Sequence, residues 1–309
     1  MMAIAPPALV LAALGVSELL TDRIATLQYL WWTPRIALVA VALLWLGIAL
    51  AAAVLRRAAG DRRRLSWWLV ATVLVGVAVL SRDWGLSSGR PADSFRLAHW
   101  NANWVHGADA IRAADELLDL EADAIVLTDP GTTLVGEGGR RLRAAGYETV
   151  VAGRFALCSR VPIREARPLL ASRERFVSRL TLSTRFGPLV VEAVDLPSDA
   201  AAPRWLLARS LAADLEALRG APPDVYVGDF NITRGSASLL QLAPDHRDAF
   251  REAGCGWGGT FRRDWPFLAI DLTLVAWPWR AERSETIDLG VGRHRAQATD
   301  LVREAGGEG

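Results

Sequence analysis

The chain has 309 residues, too many for one ordinary small domain and about right for two, at roughly 150 residues per domain. Its hydrophobic content of 51% and mean hydropathy of +0.20 exceed those of most soluble proteins but fall short of a polytopic transporter, so membrane segments joined to a water-soluble domain fit best. The formal net charge of +1 comes from 35 basic residues, all arginine, and 34 acids, and it gives no electrostatic preference for nucleic acid.

Three apolar runs lie within the first 85 residues. Ile36–Leu55 carries no charge over about 20 residues, enough to cross a hydrocarbon core about 30 Å thick. Leu65–Leu80 is shorter and is flanked by tryptophans, which favour membrane interfaces. Ala3–Leu20 is apolar except for Glu18 and lacks the basic start of a signal peptide, so it is either a third span or an interfacial or re-entrant segment. We therefore expect residues 1–85 to form a membrane anchor with two to three transmembrane helices, three in the fuller interpretation.

The short segment between Ile36–Leu55 and Leu65–Leu80, the second and third spans in chain order, is basic. It contains Arg56, Arg57, Asp61, Arg62, Arg63 and Arg64. The positive-inside rule places it in the cytoplasm. The last span would then exit outward, so in this integral membrane protein everything after Trp84 would lie on the extracytoplasmic side, with the N-terminus inside if there are three spans. A disulfide between Cys158 and Cys255 is permitted there, but spacing leaves a disulfide and two unpaired thiols equally open. The helices imply membrane lipids as partners, and no feature indicates a protein partner.

Residues 86–94 are rich in Gly, Ser and Pro and predict a linker, which leaves 95–309 as the soluble domain. Up to residue 85 the chain has 8 arginines and 4 acids, whereas the remainder has 27 arginines and 30 acids. The domain is therefore mildly acidic. This disfavours a general nuclease, which needs a clustered basic surface, although a local basic patch stays compatible with the total.

Short apolar runs alternate with amphipathic stretches in this domain. Strands are predicted at Phe95–Trp100, Ala124–Leu127, Phe155–Cys158, Leu189–Val194, Val225–Val227 and Ile270–Val275, and helices at Asp109–Leu120 and Pro203–Leu218. Strands outnumber helices in the middle of the domain. This pattern favours an α/β sandwich with antiparallel sheets over a strictly alternating doubly wound fold.

Polar side chains stand at the ends of several of these strands. They are Asn101, Asn103, Asp129, Asp229, Asn231 and Asp271, with His294 near the end of the chain. Singly, a strand-terminal Asn or Asp is more often a turn residue than a ligand. Together they supply what phosphoester hydrolysis needs: oxygen ligands for a hard cation, a carboxylate for water, and donors for developing negative charge.

The segments LAHWNANW, ADAIVLTDP, GRFALCSRVPI, VEAVDLPSD, VYVGDFNITRGS, AIDLTLV and GRHRAQATDLV occur in this order from about Phe95 to about Val302. Together they resemble the endonuclease/exonuclease/phosphatase superfamily with the DNase I-like fold. GDFN is the most specific of them. The resemblance implies a four-layer α/β/β/α sandwich, a site at one edge of two packed sheets, and cleavage of phosphoesters that depends on Mg²⁺ or Mn²⁺.

The same resemblance assigns roles to individual positions. It implies Asn101 and Asp129 at the metal, Asp229 as the group that orients or deprotonates water, Asn231 and Asn103 on the phosphate, and His294 as a transition-state donor oriented by Asp271. A carboxylate that accepts from one imidazole nitrogen fixes the tautomer, so the other nitrogen can donate to a phosphoryl oxygen.

Three positions depart from the family pattern. Asp129 stands where Glu is usual, Asp195 where many members have His, and Arg293 where the closing Asp-His has its Asp. A carboxylate at 195 repels phosphate, whereas Arg293 could bind it. Two hypotheses follow: an active hydrolase with an altered site, or a degenerate membrane-tethered binding or scaffolding module. The retained catalytic positions favour the enzyme.

The substrate is the least determined feature. A lipid headgroup, a small phosphoester and nucleic acid are all compatible with the resemblance. Six tryptophans of the domain could form a stacking surface, though core packing is their commoner fate; they are Trp100, Trp104, Trp257, Trp265, Trp277 and Trp279.

Overall fold

A computed structural model describes residues 5–56, 59–81, 83–87, 89–172 and 174–304. Four sequence predictions reach beyond these residues: the start of the first apolar run, Arg57 of the basic segment, Ser88 of the linker, and residues 305–309 of the soluble domain.

Nine helices lie in the described residues. They are α1 (Ala5–Leu20), α2 (Gln28–Trp32), α3 (Arg35–Leu55), α4 (Ala59–Leu80), α5 (Gly107–Asp119), α6 (Gly136–Ala144), α7 (Arg204–Leu218), α8 (Ala237–Leu242) and α9 (Ala249–Ala253). The first, third and fourth of these pack together as an N-terminal bundle, in which Leu46 and Ala53 of α3 bury against Leu65 of α4.

The described residues also contain fourteen strands, all of which follow α4 in the chain. They are β1 (Trp84–Leu86), β2 (Phe95–Asn101), β3 (Ala124–Thr128), β4 (Glu148–Ala152), β5 (Phe155–Ser159), β6 (Ile163–Ser172), β7 (Arg175–Thr184), β8 (Gly187–Asp195), β9 (Val225–Asp229), β10 (His246–Asp248), β11 (Gly254–Trp257), β12 (Asp271–Ala276), β13 (Trp279–Ile287) and β14 (Ala296–Arg303). They form an eight-stranded sheet in the order β1-β11-β13-β14-β2-β3-β5-β4 and a six-stranded sheet in the order β10-β12-β9-β8-β7-β6.

The two sheets pack face to face. Leu97 and Val126 of the eight-stranded sheet share one core with Val191 and Val227 of the six-stranded sheet. Helices α5 and α6 cover the outer face of the larger sheet, and α7 and α8 cover that of the smaller one. The structure is therefore an α/β sandwich with layers in the predicted order, because each sheet has one apolar face for its partner and another for helices.

The strands foreseen at the site all form, usually extended by one or two residues. Trp84–Leu86 pairs with Gly254–Trp257, so the eight-stranded sheet already includes Leu86, the first residue of the predicted linker. Cys158 and Cys255 are free thiols, Cys158 fully buried, so the disulfide left open by the sequence does not form.

The expectation of two to three transmembrane helices is corrected. Among the described residues, only Arg35–Leu55 is long and apolar enough to cross a membrane, with a mean hydropathy of 2.7. Helix α4 includes Arg62, Arg63 and Arg64 in its first turns, so the predicted basic loop is partly helical and the apolar part of α4 is short. Helix α1 offers only a shorter apolar stretch, Ala8–Leu20.

Candidate active site

Three aspartates form a row across adjacent strands of the six-stranded sheet. Asp195 ends β8 beside Asp229 of parallel β9, and Asp229 pairs with Asp271 at the start of antiparallel β12. Gly228 makes this row possible: its φ is +149°, and a Cβ there would lie 1.9 Å from the Val194 carbonyl oxygen. The polar strand ends foreseen in the sequence are thus neighbours because the strands are paired in register.

The edge of the eight-stranded sheet meets this row. Asn101 is the last residue of β2, and its Nδ2 donates to Asp229 Oδ2 at 2.9 Å across the two sheets. Its Oδ1 accepts from the backbone N–H of Asn103 at 2.9 Å. The backbone N–H of Asn231 donates to Asp229 Oδ1 at 3.0 Å, so both oxygens of Asp229 are fixed in direction.

One group of side chains, the histidine cluster, consists of Asp229, Asp271 and His294. His294 Nδ1 lies 2.9 Å from Asp271 Oδ2, and His294 Nε2 lies 3.9 Å from Asp229 Oδ2. Burial alone would lower the pKa of His294, but ionised Asp271 outweighs it and raises that pKa to about 9. Burial, with Asp271 close by, raises the pKa of Asp229 to about 8. The cluster therefore holds an imidazolium between two acids of different proton affinity.

A second group, the arginine cluster, consists of Asp129, Asp195 and Arg154. Arg154 binds Asp129 through two nitrogens, with Nε 2.8 Å from Oδ1, and the same Nε lies 3.3 Å from Asp195 Oδ2. Burial raises the pKa of Asp195 to about 7 in spite of this cation. The predicted metal ligand Asp129 is thus ion-paired within the protein.

The two clusters line one cleft of about 530 Å³. Its lining includes Asn101, Asn103, Asp129, Asp195, Asp229, Asn231, Arg293 and His294, while Asp271 lies behind His294. The structure therefore brings together all nine residues selected from the sequence. Arg293 is exposed at the rim, with its guanidinium 5.6 Å from the Phe261 ring centroid.

Comparison with known sequences agrees with this geometry. A sequence profile of the endonuclease/exonuclease/phosphatase family matches residues 98–300, which contain every residue of both clusters. The chain belongs to the endonuclease/exonuclease/phosphatase family. Among curated proteins, none matches the sequence significantly.

Solved structures share the fold at low sequence identity. A conserved protein of unknown function from Enterococcus faecalis V583 is 16% identical with a TM-score of 0.54, over 68% of this chain and 100% of that one. An endonuclease/exonuclease/phosphatase from Bacteroides vulgatus is 17% identical with a TM-score of 0.51, over 69% and 100%. A mannosyl-6-phosphatase from Bacteroides thetaiotaomicron is 15% identical with a TM-score of 0.51, over 68% and 100%.

The endonuclease/exonuclease/phosphatase family typically uses a divalent metal, and the donors present here fit one. The cleft holds hard oxygen donors from Asn101, Asp129, Asp195 and Asp229, the type that Mg²⁺ and Mn²⁺ prefer. Asp229, Asp271 and His294 also offer ligand atoms within 4.8 Å of one another. The raised pKa values of Asp195 and Asp229 reflect acids crowded in a buried place, and a divalent cation would offset that crowding.

Sequence reasoning missed three residues of this endonuclease/exonuclease/phosphatase site. Arg154 follows the turn residue Gly153 and looks like an ordinary solvent-facing charge, though its place just before β5 was a usable signal. His99 lies fully buried with Nδ1 4.0 Å from Asp271 Oδ1, and burial lowers its pKa to about 4. Trp32 reaches the cleft from the N-terminal region, for which no local pattern gives a signal.

Proposed function

We propose that this protein is a membrane-anchored phosphoester hydrolase that uses Mg²⁺ or Mn²⁺ and carries an altered active site. The observation that supports this most is the histidine cluster, a buried Asp271–His294 pair directed at Asp229 within a cleft of oxygen donors. Phosphoryl transfer needs little covalent chemistry from the protein, and such a set supplies the positioning and charge stabilisation on which it depends.

Each retained residue has a defined task in this proposal. Asp271 accepts from Nδ1 of His294, which leaves Nε2 as the atom directed toward the cleft. As an imidazolium, His294 stabilises charge on a phosphoryl oxygen. Asp229, with one oxygen held by Asn101 and the other by the Asn231 amide, orients the attacking water and takes its proton.

Asn101 and Asp129 would hold the divalent ion, with Asp229 beside them. When bound, the ion supplies Lewis-acid polarisation of the phosphoryl group and lowers the pKa of nearby water. Arg154 now neutralises Asp129, so it must give up part of this ion pair for the metal to be bound.

The anchoring part of the proposal rests on α3 and its neighbours. Its 21 residues are sufficient to span a bilayer, and the arginines at the start of α4 favour the cytoplasm for the α3–α4 connection. The catalytic domain would then lie on the extracytoplasmic side on condition that α4, whose apolar part is shorter than that of α3, returns across the bilayer. A reporter active only outside the cytoplasm, fused after Gly309, should be active; a silent reporter contradicts this orientation.

The catalytic proposal is tested with the full chain in lipid nanodiscs. We expect hydrolysis of bis(p-nitrophenyl) phosphate or p-nitrophenyl phosphate with Mg²⁺ or Mn²⁺, loss of turnover in EDTA, and loss in Asp229→Ala. Asp109→Ala, at an exposed position on α5, is the matched control and should retain turnover. Absence of turnover with both ions, with no difference in Asp229→Ala, contradicts the hydrolase.

One observation favours the alternative of a catalytically degenerate binding or scaffolding module. Arg154 engages Asp129 through two nitrogens, as a permanent substitute for a metal would. In that case the cleft would bind phosphoesters without cleaving them. The assay above separates the two functions, since the binding module shows affinity for phosphate without metal-dependent turnover.

A further inference from the structure

The segment between α1 and α3, residues 21–34, is built into the catalytic domain. We call it the interhelical segment. Gln28 Oε1 accepts from the backbone N–H of Arg204, the first residue of α7, at 3.1 Å. Thr21 Oγ1 and Asp22 Oδ1 each accept, at 3.2 Å, from the first two N–H groups of α8. The first N–H groups of a helix have no partner within it, so the segment caps both helices from a distant part of the chain.

This docking places Trp32 in the wall of the active-site cleft. The guanidinium of buried Arg204 stacks 4.8 Å from the Trp32 ring centroid, and Trp31 Nε1 donates to Ser236 Oγ at 2.7 Å. Nε1 of Trp32 has no hydrogen-bond partner and is shielded from solvent. The part of its ring that faces the cleft is therefore carbon.

The lining of the cleft is both charged and apolar. Besides the charged residues of the two clusters it includes Trp32, Phe261, Leu268 and Ile270, and the Phe261 ring centroid lies 4.8 Å from that of His294. A small inorganic or sugar phosphate would leave these apolar side chains in contact with water, whereas an ester with an apolar alcohol would cover them.

A small groove of about 30 Å³ beside the cleft shares Trp32 and Leu268 with it and reaches the end of the helical bundle. Its lining is mixed: the apolar side chains are Ile36 of α3, Leu80 of α4 and Phe267 of the domain, and the charged ones are Arg35, Asp83 and Arg234. At its outer edge Trp265 is 72% exposed, with its ring centroid 6.1 Å from that of Phe267. Exposed tryptophans are typical of the membrane–water interface.

We propose that Trp32 is a specificity-determining residue, and that the cleft takes a phosphoester whose alcohol carries an alkyl group presented from the bilayer surface. The inference rests on the proposed function only for the place of the phosphate. The phosphate lies among the clusters, the first carbons of the alcohol pack on Trp32, and the rest of the chain passes the mouth of the groove toward the end of the bundle.

Binding of two simple esters tests this directly. Methyl phosphate and butyl phosphate are titrated calorimetrically into the full chain in nanodiscs. A fully buried methylene contributes about fourfold in affinity, so with partial burial we expect butyl phosphate to bind about tenfold more tightly than methyl phosphate. Trp32→Ala should reduce this preference to about twofold or less, Trp32→Phe should keep most of it, and Tyr29→Ala, at an exposed residue of the same helix, should match the unaltered chain.

The source of the ester is tested in the same preparation. Phosphatidate in the nanodisc should weaken butyl phosphate binding at least fivefold, and the same mole fraction of oleate, anionic but without phosphate, should not. If neither lipid weakens the binding of butyl phosphate, presentation of the ester from the bilayer is contradicted. Equal affinity for the two esters, or an undiminished preference in Trp32→Ala, contradicts the role of Trp32. Preferential binding of butyl phosphate without any hydrolysis would count against the proposed hydrolase while the binding inference stands.

Discussion

The histidine and arginine clusters lie in one cleft, and each stabilises a pair of neighbouring aspartates with a different kind of cation. Each surrounds a cation with two aspartates, but His294 can release its proton, whereas Arg154 stays charged at any ordinary pH. The His294–Asp271 pair is nearly inaccessible, while the Arg154 side chain keeps 32% of its surface exposed. The first cluster is therefore suited to proton chemistry, and the second to holding fixed charge that an incoming cation or phosphate can rearrange.

Removing the imidazole should have the largest effect. His294→Ala takes away the proposed transition-state donor, and loss of one such donor typically costs a factor of about 10²–10³ in kcat. We expect about 10³ here, because Asp271 is also left buried without its cation. The measurement is steady-state kinetics at saturating Mg²⁺. The exposed His106→Ala serves as control, and a loss below tenfold in His294→Ala would remove this residue from the chemistry.

Weakening the same cluster at Asp271 should cost about 10²-fold and shift the pH profile. In the unaltered protein the pKa of His294 is raised to about 9, so the alkaline limb of the profile, where the imidazolium is lost, should lie near pH 9; the acid limb belongs to the proposed base Asp229, whose pKa is raised to about 8. Asp271→Asn removes the partner that raises this pKa, so the alkaline fall should move toward 6.5 or below. A pH–rate profile checks the shift; an unchanged alkaline limb would separate Asp271 from the titration of His294.

The arginine cluster should respond in the opposite sense. Arg154→Ala frees Asp129 from its ion pair, so we expect Mg²⁺ to bind about tenfold more tightly, with a change in kcat smaller than that in Asp271→Asn. Titration calorimetry with Mg²⁺ measures this, with the exposed Arg164→Ala as control. Unchanged Mg²⁺ binding in Asp129→Ala would place Asp129 outside the metal site, and weaker binding in Arg154→Ala would mean that Arg154 supports the ion rather than competing with it.

The smallest effect is expected at Asp195. Its carboxyl lines the cleft, where the substrate phosphate is proposed to bind, and pairs with Arg154 at 3.3 Å. Asp195→His replaces a repulsive group by a donor and should raise kcat/KM by about threefold, while Asp195→Ala should not abolish turnover. A severe loss in Asp195→Ala would instead identify Asp195 as a ligand or base. The two variants are compared at pH 8, where Asp195, with a pKa of about 7, is mostly ionised.

The difference between the two clusters also explains which site residues could be predicted from the sequence. Asp229 and Asp271 could be selected because each lies at a strand end, and strand pairing brings such ends to one edge; His294 could be selected because it belongs to the closing motif of the same ordered series. Arg154 belongs to a tight turn, and its two acidic partners come from other strands, so its role depends on tertiary structure alone.

The N-terminal region was harder to predict from the sequence than the domain that follows it. Apolar composition predicted a spanning segment at α3, which is the one described helix long and apolar enough to cross a membrane. The count of two to three was wrong because helix boundaries include charged residues that apolar runs omit. The contacts of the interhelical segment join residues about 200 positions apart, such as Trp31 and Ser236, and a loop between two apolar runs carries no sign of them. Long-range packing of this kind is the information that local periodicity lacks.

The connection between α4 and β1 has a consequence for how the protein meets its substrate. Only residues 81–83 separate the helix from the first strand, a reach of about 10 Å even when extended, and Asp83 is itself paired with Arg35 of α3 and Arg234 of the domain. The catalytic unit cannot swing on such a connection. With the proposed membrane anchor and bilayer-presented ester, its encounter rate would be set by how densely substrate populates the membrane surface and by lateral diffusion, so dilution of the substrate within the plane should slow turnover while added bulk volume should not.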